Sequence, residues 1–292
     1  MITKQEEQEK LAEALGLKNT LIFKREDLHP YGSHKGRSIP PMIDTYMEQG
    51  INHFAISSSG NAALAAAIYI QKINSEKNKN VKLDILVGQH ISTKKLQKLN
   101  SFESENIKVT AHDRPIQTLF SITKDPEIRA LRQSTDDISL LGYGELAKEL
   151  LEIKDLKAVF IGTSSGTTAQ ALSEYFNSKN REVEVHIVQT SSCHPIVDNF
   201  IEDQTIDELS IADAIVDQTA FRKDKLTKLI NENGGNGWVA TNEQIKIAQE
   251  LCLKYTDISI STNSALSIAG LMQAIYTSKT WNGSVVCMIC GD

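Results

Sequence analysis

Residues 160–169, with the sequence FIGTSSGTTA, decide how the rest of the chain is interpreted. An apolar strand leads into two glycines that bracket small hydroxyl residues, and a helical pattern follows. Backbone N–H groups and hydroxyls at the start of a helix form a favourable site for a phosphate group. The segment lacks the lysine of nucleoside-triphosphate loops and the G-x-G-x-x-G pattern of dinucleotide folds. We therefore predict either a cradle for the phosphate of another ligand or a small-residue turn without a ligand.

Short β-rich segments alternate with longer helical segments on both sides of this loop. The alternation predicts an α/β fold whose mostly parallel sheets are covered by helices on both faces. Ligands in such folds bind at the carboxyl ends of strands, beside helix N-termini. We predict strands over residues 20–23, 51–56, 81–87, 107–110, 158–161, 183–188 and 284–290, and helices over residues 62–74, 144–153, 169–177 and 241–254.

The overall composition is that of a globular protein without a nucleic-acid or membrane partner. The 292 residues are 40% apolar and 23% charged, and the net charge is -6. Basic and acidic residues alternate, so we expect no nucleic-acid partner. The longest apolar stretch, residues 62–70, is too short to span a bilayer. The N-terminus is polar and acidic, so we expect no secretory signal and a cytoplasmic location.

The cysteines are expected to be reduced thiols. Cys287 and Cys290 form a C-x-x-C spacing inside the apolar segment 284–290, which predicts a buried strand. Residues three apart on a strand point to opposite faces, so we expect neither a shared metal nor a redox disulfide. No second pair is present to complete a zinc site, and the sequence predicts no metal centre.

Residues 162–166 also match G-x-S-x-G, the turn that carries the nucleophilic serine of many hydrolases. A hydrolase triad would need an acidic residue and then a histidine later in the chain. After Ser164, histidines occur only at His186 and His194, in the next strand and its loop. This spacing leaves little room for the third member, so the hydrolase interpretation is the weaker one.

Two further strand-to-helix segments carry groups suited to a small ligand. Residues 57–63, SSSGNAA, place hydroxyls and N–H groups at the start of an alanine-rich helix, where a carboxylate could bind. An ordinary capped turn is the alternative. In residues 23–37, a Pro-x-Gly-Ser turn precedes Lys35. Most lysines are solvated, but desolvation in a crevice lowers the pKa of a lysine and frees its amine to form a Schiff base.

Taken in this order, the segments resemble the fold type II pyridoxal-phosphate enzymes. This group includes threonine synthase, serine and threonine dehydratases, cysteine synthase and the tryptophan synthase β chain. Residues 24–35, KREDLHPYGSHK, are similar to the family's K-x-E-x-x-x-P-x-G-S-x-K, and residues 58–61, SSGN, to its S-G-N loop. Residues 162–167 are similar to its glycine-rich phosphate loop, and Cys290-Gly291 to the Ser/Thr/Cys-Gly of its final strand. The four motifs in this order cover nearly the whole chain.

The resemblance implies a role for each of these residues. Lys35 binds pyridoxal 5'-phosphate as a Schiff base and then acts as the general base. Cys290 faces the pyridine nitrogen, and Asp292 on the same strand face is an alternative partner. A thiol leaves that nitrogen less protonated than a carboxylate would, which favours elimination or replacement over transamination. The other implied contacts are those of Asn61 with the cofactor ring oxygen, of Ser58, Ser59, Gly60 and Asn61 with the substrate, and of Gly162, Thr163, Ser164, Ser165, Gly166 and Thr167 with the cofactor phosphate.

The resemblance also implies the architecture of the tryptophan synthase β chain. That architecture has two domains, each with parallel strands in three αβα layers. Residues 1–47 with 141–292 would form a large cofactor-binding domain, and residues 48–140 a small mobile domain. Members of the group are usually homodimers that act on a small amino acid.

Within the group, threonine synthase, which converts O-phosphohomoserine to threonine, is the first choice. Residues 234–239 and 263–271 are most similar to it. Ala62 stands where synthases often have threonine, which weakens this choice. Asp136-Asp137 with residues 141–144, and Cys290, are more similar to a serine/threonine dehydratase. Cysteine synthase and a non-catalytic binding protein on the same fold are further alternatives. Gly36 stands where the family usually has aspartate, and the sequence alone assigns no consequence to this difference.

Overall fold

A computed structural model of the chain describes residues 2–201 and 209–291. These residues form two compact units, one made of Met1–Leu28 with Tyr143–Asp292 and the other of His29–Gly142. We call them the larger and the smaller unit. The domain limits expected from the sequence, residues 1–47 with 141–292 and residues 48–140, stay a prediction. By packing, the segment from residue 29 to 47 lies in the smaller unit.

The secondary structure follows the alternation predicted from the sequence. In chain order the elements are β1 (Gln5–Glu7), α1 (Glu9–Ala14), β2 (Leu21–Arg25), α2 (Lys35–Glu48), β3 (His53–Ser57), α3 (Asn61–Lys77), β4 (Lys82–Gly88), α4 (Thr93–Asn100), β5 (Ile107–His112), α5 (Pro115–Ile122), β6 (Ile128–Ala130), α6 (Ile138–Leu141), α7 (Tyr143–Leu151), β7 (Leu156–Gly162), α8 (Thr167–Ser178), β8 (Glu184–Thr190), α9 (Lys223–Glu232), β9 (Asn236–Ala240), α10 (Asn242–Thr256), α11 (Thr262–Tyr276) and β10 (Ser284–Ile289).

The sheet of the larger unit has six strands within the described residues, in the order β1-β2-β10-β7-β8-β9. The strands are parallel except β1, which pairs antiparallel with β2. Helix α11 packs closely on this sheet, because a Cβ on Gly270 would come within 2.4 Å of Val188 Cγ2. Every residue of β10 is buried, as expected for a central strand covered on both faces.

The sheet of the smaller unit has four parallel strands among the described residues, in the order β5-β4-β3-β6. Strand β3 buries Phe54, and helix α3 adds a run of buried alanines, residues 63 and 65–67, to the same core. Small side chains let this helix approach the sheet closely. Each unit therefore presents strand ends that lead directly into helix N-termini.

The predicted fold class is confirmed: the protein is α/β, with mostly parallel sheets and helices between successive strands. The predicted start of α10 is confirmed as well. Thr241 Oγ1 accepts the N–H of Gln244 at 3.2 Å, and Gln244 Oε1 accepts the N–H of Thr241 at 3.0 Å. No helix in the described part of the chain is long and apolar enough to cross a membrane.

A buried ion pair joins the N-terminal segment, β2 and α7. Lys24 is fully buried, and its Nζ lies 2.5 Å from Glu149 Oε2 and donates to the carbonyl of Thr3 at 2.9 Å. The Thr3 hydroxyl donates in turn to the buried carboxylate of Glu26. Gln5 Nε2 donates to the carbonyl of Glu149 at 2.9 Å. The Lys and Glu of the K-x-E motif are therefore held in a network inside the larger unit.

Removing the charge of Glu149 should destabilise the larger unit strongly, because the Lys24 ammonium would stay buried without its counter-charge. We expect Glu149→Gln to lower the free energy of unfolding by about 3–5 kcal/mol, measured by urea denaturation. Glu232→Gln is the matched control, since Lys228 and Glu232 form an ion pair with both side chains largely exposed. Its effect should stay below about 1 kcal/mol. Equal effects of the two substitutions would contradict the assignment.

A second polar network lies at the amino ends of β8 and β9. His186 is fully buried and stacks on Phe160 with ring centroids 4.3 Å apart. Its Nδ1 accepts the indole N–H of Trp238 at 3.2 Å, so its Nε2 donates to Glu184 Oε2 at 2.9 Å. Trp281 Nε1 donates to the same carboxylate oxygen at 2.7 Å. Both ring nitrogens of a neutral His186 are thus satisfied.

Burial lowers the pKa of His186 below its ordinary 6.5. Burial raises the pKa of Glu184, but hydrogen bonds from His186, Trp281 and Lys279 outweigh this effect and lower the pKa below 4.5. In both cases the unfolded chain takes up a proton at a pH where the folded chain does not. Stability is therefore lost as the pH falls, first below about 6.5 through His186 and then below about 4.5 through Glu184.

His186→Gln should flatten this pH dependence, because a glutamine amide can donate to Glu184 and accept from Trp238 without titrating. We expect the melting temperature of the variant to fall less than that of the wild type between about pH 7.5 and pH 5.5. Thermal melts followed by circular dichroism at both pH values measure the difference. Identical slopes for the two proteins would show that another group sets the dependence.

Candidate active site

Lys35 begins helix α2 in the smaller unit, after a turn closed by its own backbone. The N–H of Gly32 donates to the carbonyl of His29 at 2.7 Å, and the N–H of Gly36 donates to the carbonyl of Ser33 at 3.0 Å. The N–H of Lys35 donates to Ser33 Oγ at 3.3 Å. Gly32 has a φ of +82°, a backbone conformation that residues with a side chain rarely adopt. The turn therefore fixes Lys35, which is half-buried, at the first position of the helix.

The serine-rich segment lies between β3 and the 17-residue helix α3. The N–H of Gly60 donates to Ser58 Oγ at 3.3 Å, and the carbonyl of Gly60 accepts the first helical N–H, from Leu64, at 3.1 Å. The N–H groups before Leu64 have no acceptor inside the helix. Ser58, Ser59 and Asn61 are half-buried at this helix N-terminus. This geometry suits an anionic group such as a substrate carboxylate.

The turn before Lys35 and helix α3 pack against each other within the smaller unit. The rings of Tyr31 and Tyr69 meet edge to face with centroids 6.0 Å apart. A Cβ on Gly32 would lie 3.2 Å from Leu64 Cδ2 in the first turn of α3. Two of the three segments that the sequence singles out are therefore neighbours in space.

The third segment, residues 162–167, joins β7 to α8 in the larger unit. Gly166 has a φ of +81°, and a Cβ there would come within 2.6 Å of Leu226 Cδ2. A Cβ on Gly162 would lie 2.9 Å from the carbonyl oxygen of Asn263. Close approach of the Asn263 carbonyl therefore requires a glycine at position 162, and the backbone conformation requires one at position 166. The N–H of Gly166 donates to Thr163 Oγ1 at 3.0 Å, which closes the loop on itself.

The hydroxyls of this loop have different partners. Ser164 Oγ accepts the N–H groups of Val216 and Asp217 at 3.1 and 3.0 Å, which leaves its own proton to donate. The hydroxyls of Ser165 and Thr167 lie 2.9 Å apart at the start of α8. The first N–H groups of that helix have no acceptor within it. Ser165, Thr167 and the helix N-terminus are therefore the best-placed groups for a phosphate.

Cys290 follows β10, whose two neighbours in the sheet are β2 and β7. The pairing of Cys287 with Phe160 places Cys290 level with the residue after Gly162, at the start of the 162–167 loop. The next residue is held in place, because Gly291 N donates to Ser264 Oγ at 3.2 Å and Gly291 O accepts from Ser261 Oγ at 2.8 Å. The larger unit therefore brings Cys290 and the predicted phosphate loop to one edge of its sheet.

All four cysteines are buried, and none of them forms a disulfide within the described residues. Burial raises the pKa of the Cys287 thiol, whose Sγ lies 3.6 Å from the carbonyl oxygen of Ser267 in α11. Asp292, the alternative partner for the cofactor nitrogen, lies outside the described residues.

Contacts that the sequence did not predict hold the neighbouring loops in place. Gln189, at the end of β8, donates through Nε2 to the carbonyl of Ser164 at 3.1 Å. Its Oε1 accepts the N–H groups of Ile196 and Val197 at 2.9 and 3.1 Å. One amide side chain thus ties the loop after β8 to the loop after β7. The sequence singles out Val188-Gln189 with Pro195-Ile196 as part of the family resemblance, but it does not predict these contacts.

The hydrolase interpretation of Ser164 finds no support in these contacts. His186 lies inside the sheet, level with Phe160 and hydrogen-bonded to Glu184 and Trp238. His194 donates through Nδ1 to Asp198 at 2.5 Å, and its Nε2 has no hydrogen-bond partner among the described residues. The serine hydroxyl therefore has no histidine to activate it.

Within the smaller unit the start of α3 suits a carboxylate, and within the larger unit the start of α8 suits a phosphate. A protein-family model described as "Pyridoxal-phosphate dependent enzyme" matches residues 2–291. The chain belongs to this family. Its cofactor is pyridoxal 5'-phosphate, its substrates are of the amino-acid class, and the donor set of the 162–167 loop fits the phosphate of that cofactor.

Relatives and solved structures agree with this membership. The threonine synthase of Methanosarcina acetivorans is 23% identical over 299 residues, which cover 97% of this chain and 72% of that protein. The crystal structure of a pyridoxal 5'-phosphate-dependent aspartate racemase superposes with a TM-score of 0.82 at 19% identity, covering 100% of this chain and 90% of that one. Threonine deaminase isoform 2 from Solanum lycopersicum superposes with a TM-score of 0.80 at 18% identity, covering 99% and 78%. These structures confirm the fold type II class expected from the sequence.

Removing a hydroxyl from the phosphate loop should weaken cofactor binding to the enzyme. A hydrogen bond to a charged group contributes about 1.5–3 kcal/mol. We therefore expect Thr167→Val and Ser165→Ala each to raise the Kd for pyridoxal phosphate by about 10- to 100-fold. Fluorescence titration of the apo-protein with the cofactor measures the change.

Ser173→Ala is the control for this titration. Ser173 lies on the same helix, α8, and its buried hydroxyl has no hydrogen-bond partner among the described residues. Its removal should leave the Kd unchanged. An unchanged Kd in the two loop variants would mean that the phosphate lies elsewhere.

Proposed function

We propose that this enzyme is a lyase that carries pyridoxal phosphate on Lys35 and catalyses β- or γ-elimination or replacement on a small amino acid. The best candidate reaction is that of threonine synthase, from O-phosphohomoserine to threonine. The observation that carries the proposal is the pairing of a thiol, Cys290, with a hydroxyl-lined helix start at one edge of the larger unit's sheet. The role of each residue follows from the group that it presents.

Lys35 supplies an amine at the first position of a helix, on a turn fixed by three hydrogen bonds. A positioned amine of this kind can carry the cofactor and, once released, can remove the proton from the substrate α-carbon as a general base. When bound, the cofactor withdraws electrons from that carbon. A rigid turn favours this role, because proton transfer requires the amine within hydrogen-bonding distance of the reacting group.

Ser58, Ser59, Gly60 and Asn61 supply hydroxyls and backbone N–H groups at the start of α3. The positive end of the helix dipole and these donors would hold the substrate carboxylate, and Asn61 would donate to the ring oxygen of the cofactor. Gly162, Thr163, Ser164, Ser165, Gly166 and Thr167 would surround the phosphate. These assignments are part of the proposal and depend on the contacts within each unit.

Cys290 supplies the argument for elimination or replacement. Its thiol is a weak hydrogen-bonding group, whereas a carboxylate at this position would hold a proton on the pyridine nitrogen. A less protonated ring is a milder electron sink, which suits loss of a β- or γ-substituent better than transamination. The thiol also supports a serine/threonine dehydratase, which we keep as the second candidate.

The choice of threonine synthase as first candidate rests on the relatives. The match to the threonine synthase of Methanosarcina acetivorans spans nearly the whole chain. Ala62, in the first turn of α3, lacks the hydroxyl that many synthases have at this position. A cysteine synthase-like replacement and a non-catalytic binding role are the remaining alternatives.

The homodimer and the cytoplasmic location also stay predictions. Light scattering in solution tests whether the protein is a homodimer.

Lys35→Ala should abolish the visible absorbance of the Schiff base and reduce turnover by about 10³-fold or more, because both the covalent link and the base are lost. Absorbance spectra of the protein incubated with pyridoxal phosphate provide the first measurement. Lys72→Ala, at an exposed lysine of α3, is the control and should retain the wild-type spectrum. A wild-type protein that stays colourless with added cofactor would favour the non-catalytic role.

The reaction itself is tested by offering four substrates separately to the wild-type enzyme and to Lys35→Ala. Phosphate release from O-phosphohomoserine together with threonine formation is the expected result. Ammonia release from threonine or serine, without phosphate release, would replace the first candidate by the dehydratase. Acetate release from O-acetylserine would identify a cysteine synthase-like enzyme.

A further inference from the structure

The helix that begins at Lys35 has a gap in its first turn, and a histidine fills it. Gly36 has no side chain, and a Cβ at this position would lie 2.3 Å from His29 Nδ1, 2.4 Å from His29 Cε1 and 2.7 Å from Tyr31 Cβ. Real Cβ atoms essentially never lie this close to another heavy atom. The imidazole of His29 therefore occupies the space in which any other residue at position 36 would place its Cβ.

His29 also closes the turn through its main chain and its ring. Its carbonyl accepts the N–H of Gly32 at 2.7 Å, and its Nδ1 accepts the N–H of Tyr31 at 3.2 Å. The ring is buried, with 7% of its residue surface exposed. These contacts set the orientation of the imidazole, and the ring in turn rests on the backbone directly after Lys35.

The other side of the turn is anchored to α3. The Tyr31 ring packs edge to face on Tyr69, and Gly32 lies against Leu64. His29 is 5.5 Å from Tyr31 between ring centroids, so the imidazole lies between the anchored tyrosine and the start of α2. A change in the size of the ring must therefore move either the anchored turn or the helix start that carries Lys35.

We propose that His29 is a positioning residue for Lys35, and that His29 and Gly36 act as a matched pair. The imidazole acts as a wedge that sets where α2 begins and so directs the lysine amine. This inference rests on the proposed role of Lys35 as the cofactor-binding lysine. It also gives a consequence to the glycine at position 36, where the resembled family usually has aspartate.

The rate at which Lys35 bonds to added pyridoxal phosphate is the direct measure of this positioning. The bond is trapped with borohydride at increasing times, and the labelled peptide is quantified by mass spectrometry. A displacement of about 1 Å can slow a positioned reaction by about 10²-fold. We expect His29→Ala to slow labelling of Lys35 by about tenfold to a hundredfold at a temperature at which the variant remains folded.

Two conservative variants separate the wedge from the hydrogen bond. His29→Phe keeps an aromatic ring beside Gly36, slightly larger than imidazole, and loses the acceptor, whereas His29→Asn keeps an acceptor for the Tyr31 N–H and loses the ring. The wedge requires faster labelling in His29→Phe than in His29→Asn. The reverse order would overturn the proposal, as would labelling of His29→Ala at the wild-type rate.

A substitution at the partner position tests the pairing. Gly36→Ala should slow labelling strongly with His29 present and by a smaller factor in the double variant His29→Ala/Gly36→Ala, because the clash with the ring is removed. Recovery is expected to be partial, since Tyr31 Cβ remains close. Equal factors in the two backgrounds would overturn the pairing.

Gly88→Ala is the control, because a Cβ at Gly88 has no heavy atom within 4 Å among its surroundings. It should label at the wild-type rate. The labelling results distinguish the positioning role from the proposed function. A wild-type protein that gives no label on Lys35 would refute the function, whereas wild-type labelling with unaffected His29 variants would refute only the positioning role.

Discussion

The insertion of β10 between β2 and β7 is the constraint on which the larger unit depends. It makes the last described strand, a strand near the N-terminus and a strand from the middle of the chain neighbours in one parallel sheet. Parallel pairing aligns their carboxyl ends, and so Cys290 and the loop that starts after Gly162 reach the same edge. The buried Lys24–Glu149 pair lies beside this arrangement and fixes β2 to α7. Chemistry at the edge therefore depends on contacts far along the sequence.

Each unit holds part of the proposed machinery where a strand end leads into a helix, β3 into α3 in the smaller unit and β7 into α8 in the larger unit. The smaller unit presents Lys35 and the start of α3, and the larger unit presents Cys290 and the start of α8. In both units glycines let neighbouring groups lie where a Cβ would otherwise stand. These glycines are Gly32 and Gly36 in the smaller unit and Gly162 and Gly166 in the larger unit. The dipoles of α3 and α8 favour anions at the starts of these two helices, although residues 57–60 and 162–166 contain no lysine or arginine.

The sequence predicted the parts of the fold that local pattern controls. Strands such as β7 and β8 are apolar runs because both faces of a central strand are buried, and α10 carries its capping box in four consecutive residues. It did not predict the short elements β1, β6 and α6, whose few residues carry no period, nor α1, α4, α5 and α9, which are short and, except α5, rich in charged or polar residues. It also did not predict β9 or the 15-residue helix α11, most of whose residues are buried. The sequence predicted the residues of the proposed site but not the residues that hold them in place. Glu149, Gln189 and the contact of His29 with Gly36 join positions whose relation is set only by tertiary packing.

The hydroxyl of Ser164 accepts N–H groups from Val216 and Asp217, and its carbonyl accepts from Gln189. Three stretches of chain, after β7, after β8 and before α9, thus converge on a single serine. Opening any one of them exposes donors or acceptors of the other two, so they should exchange amide hydrogens as one cooperative block. An anion seated in the loop would slow exchange in residues around 216 that it never touches.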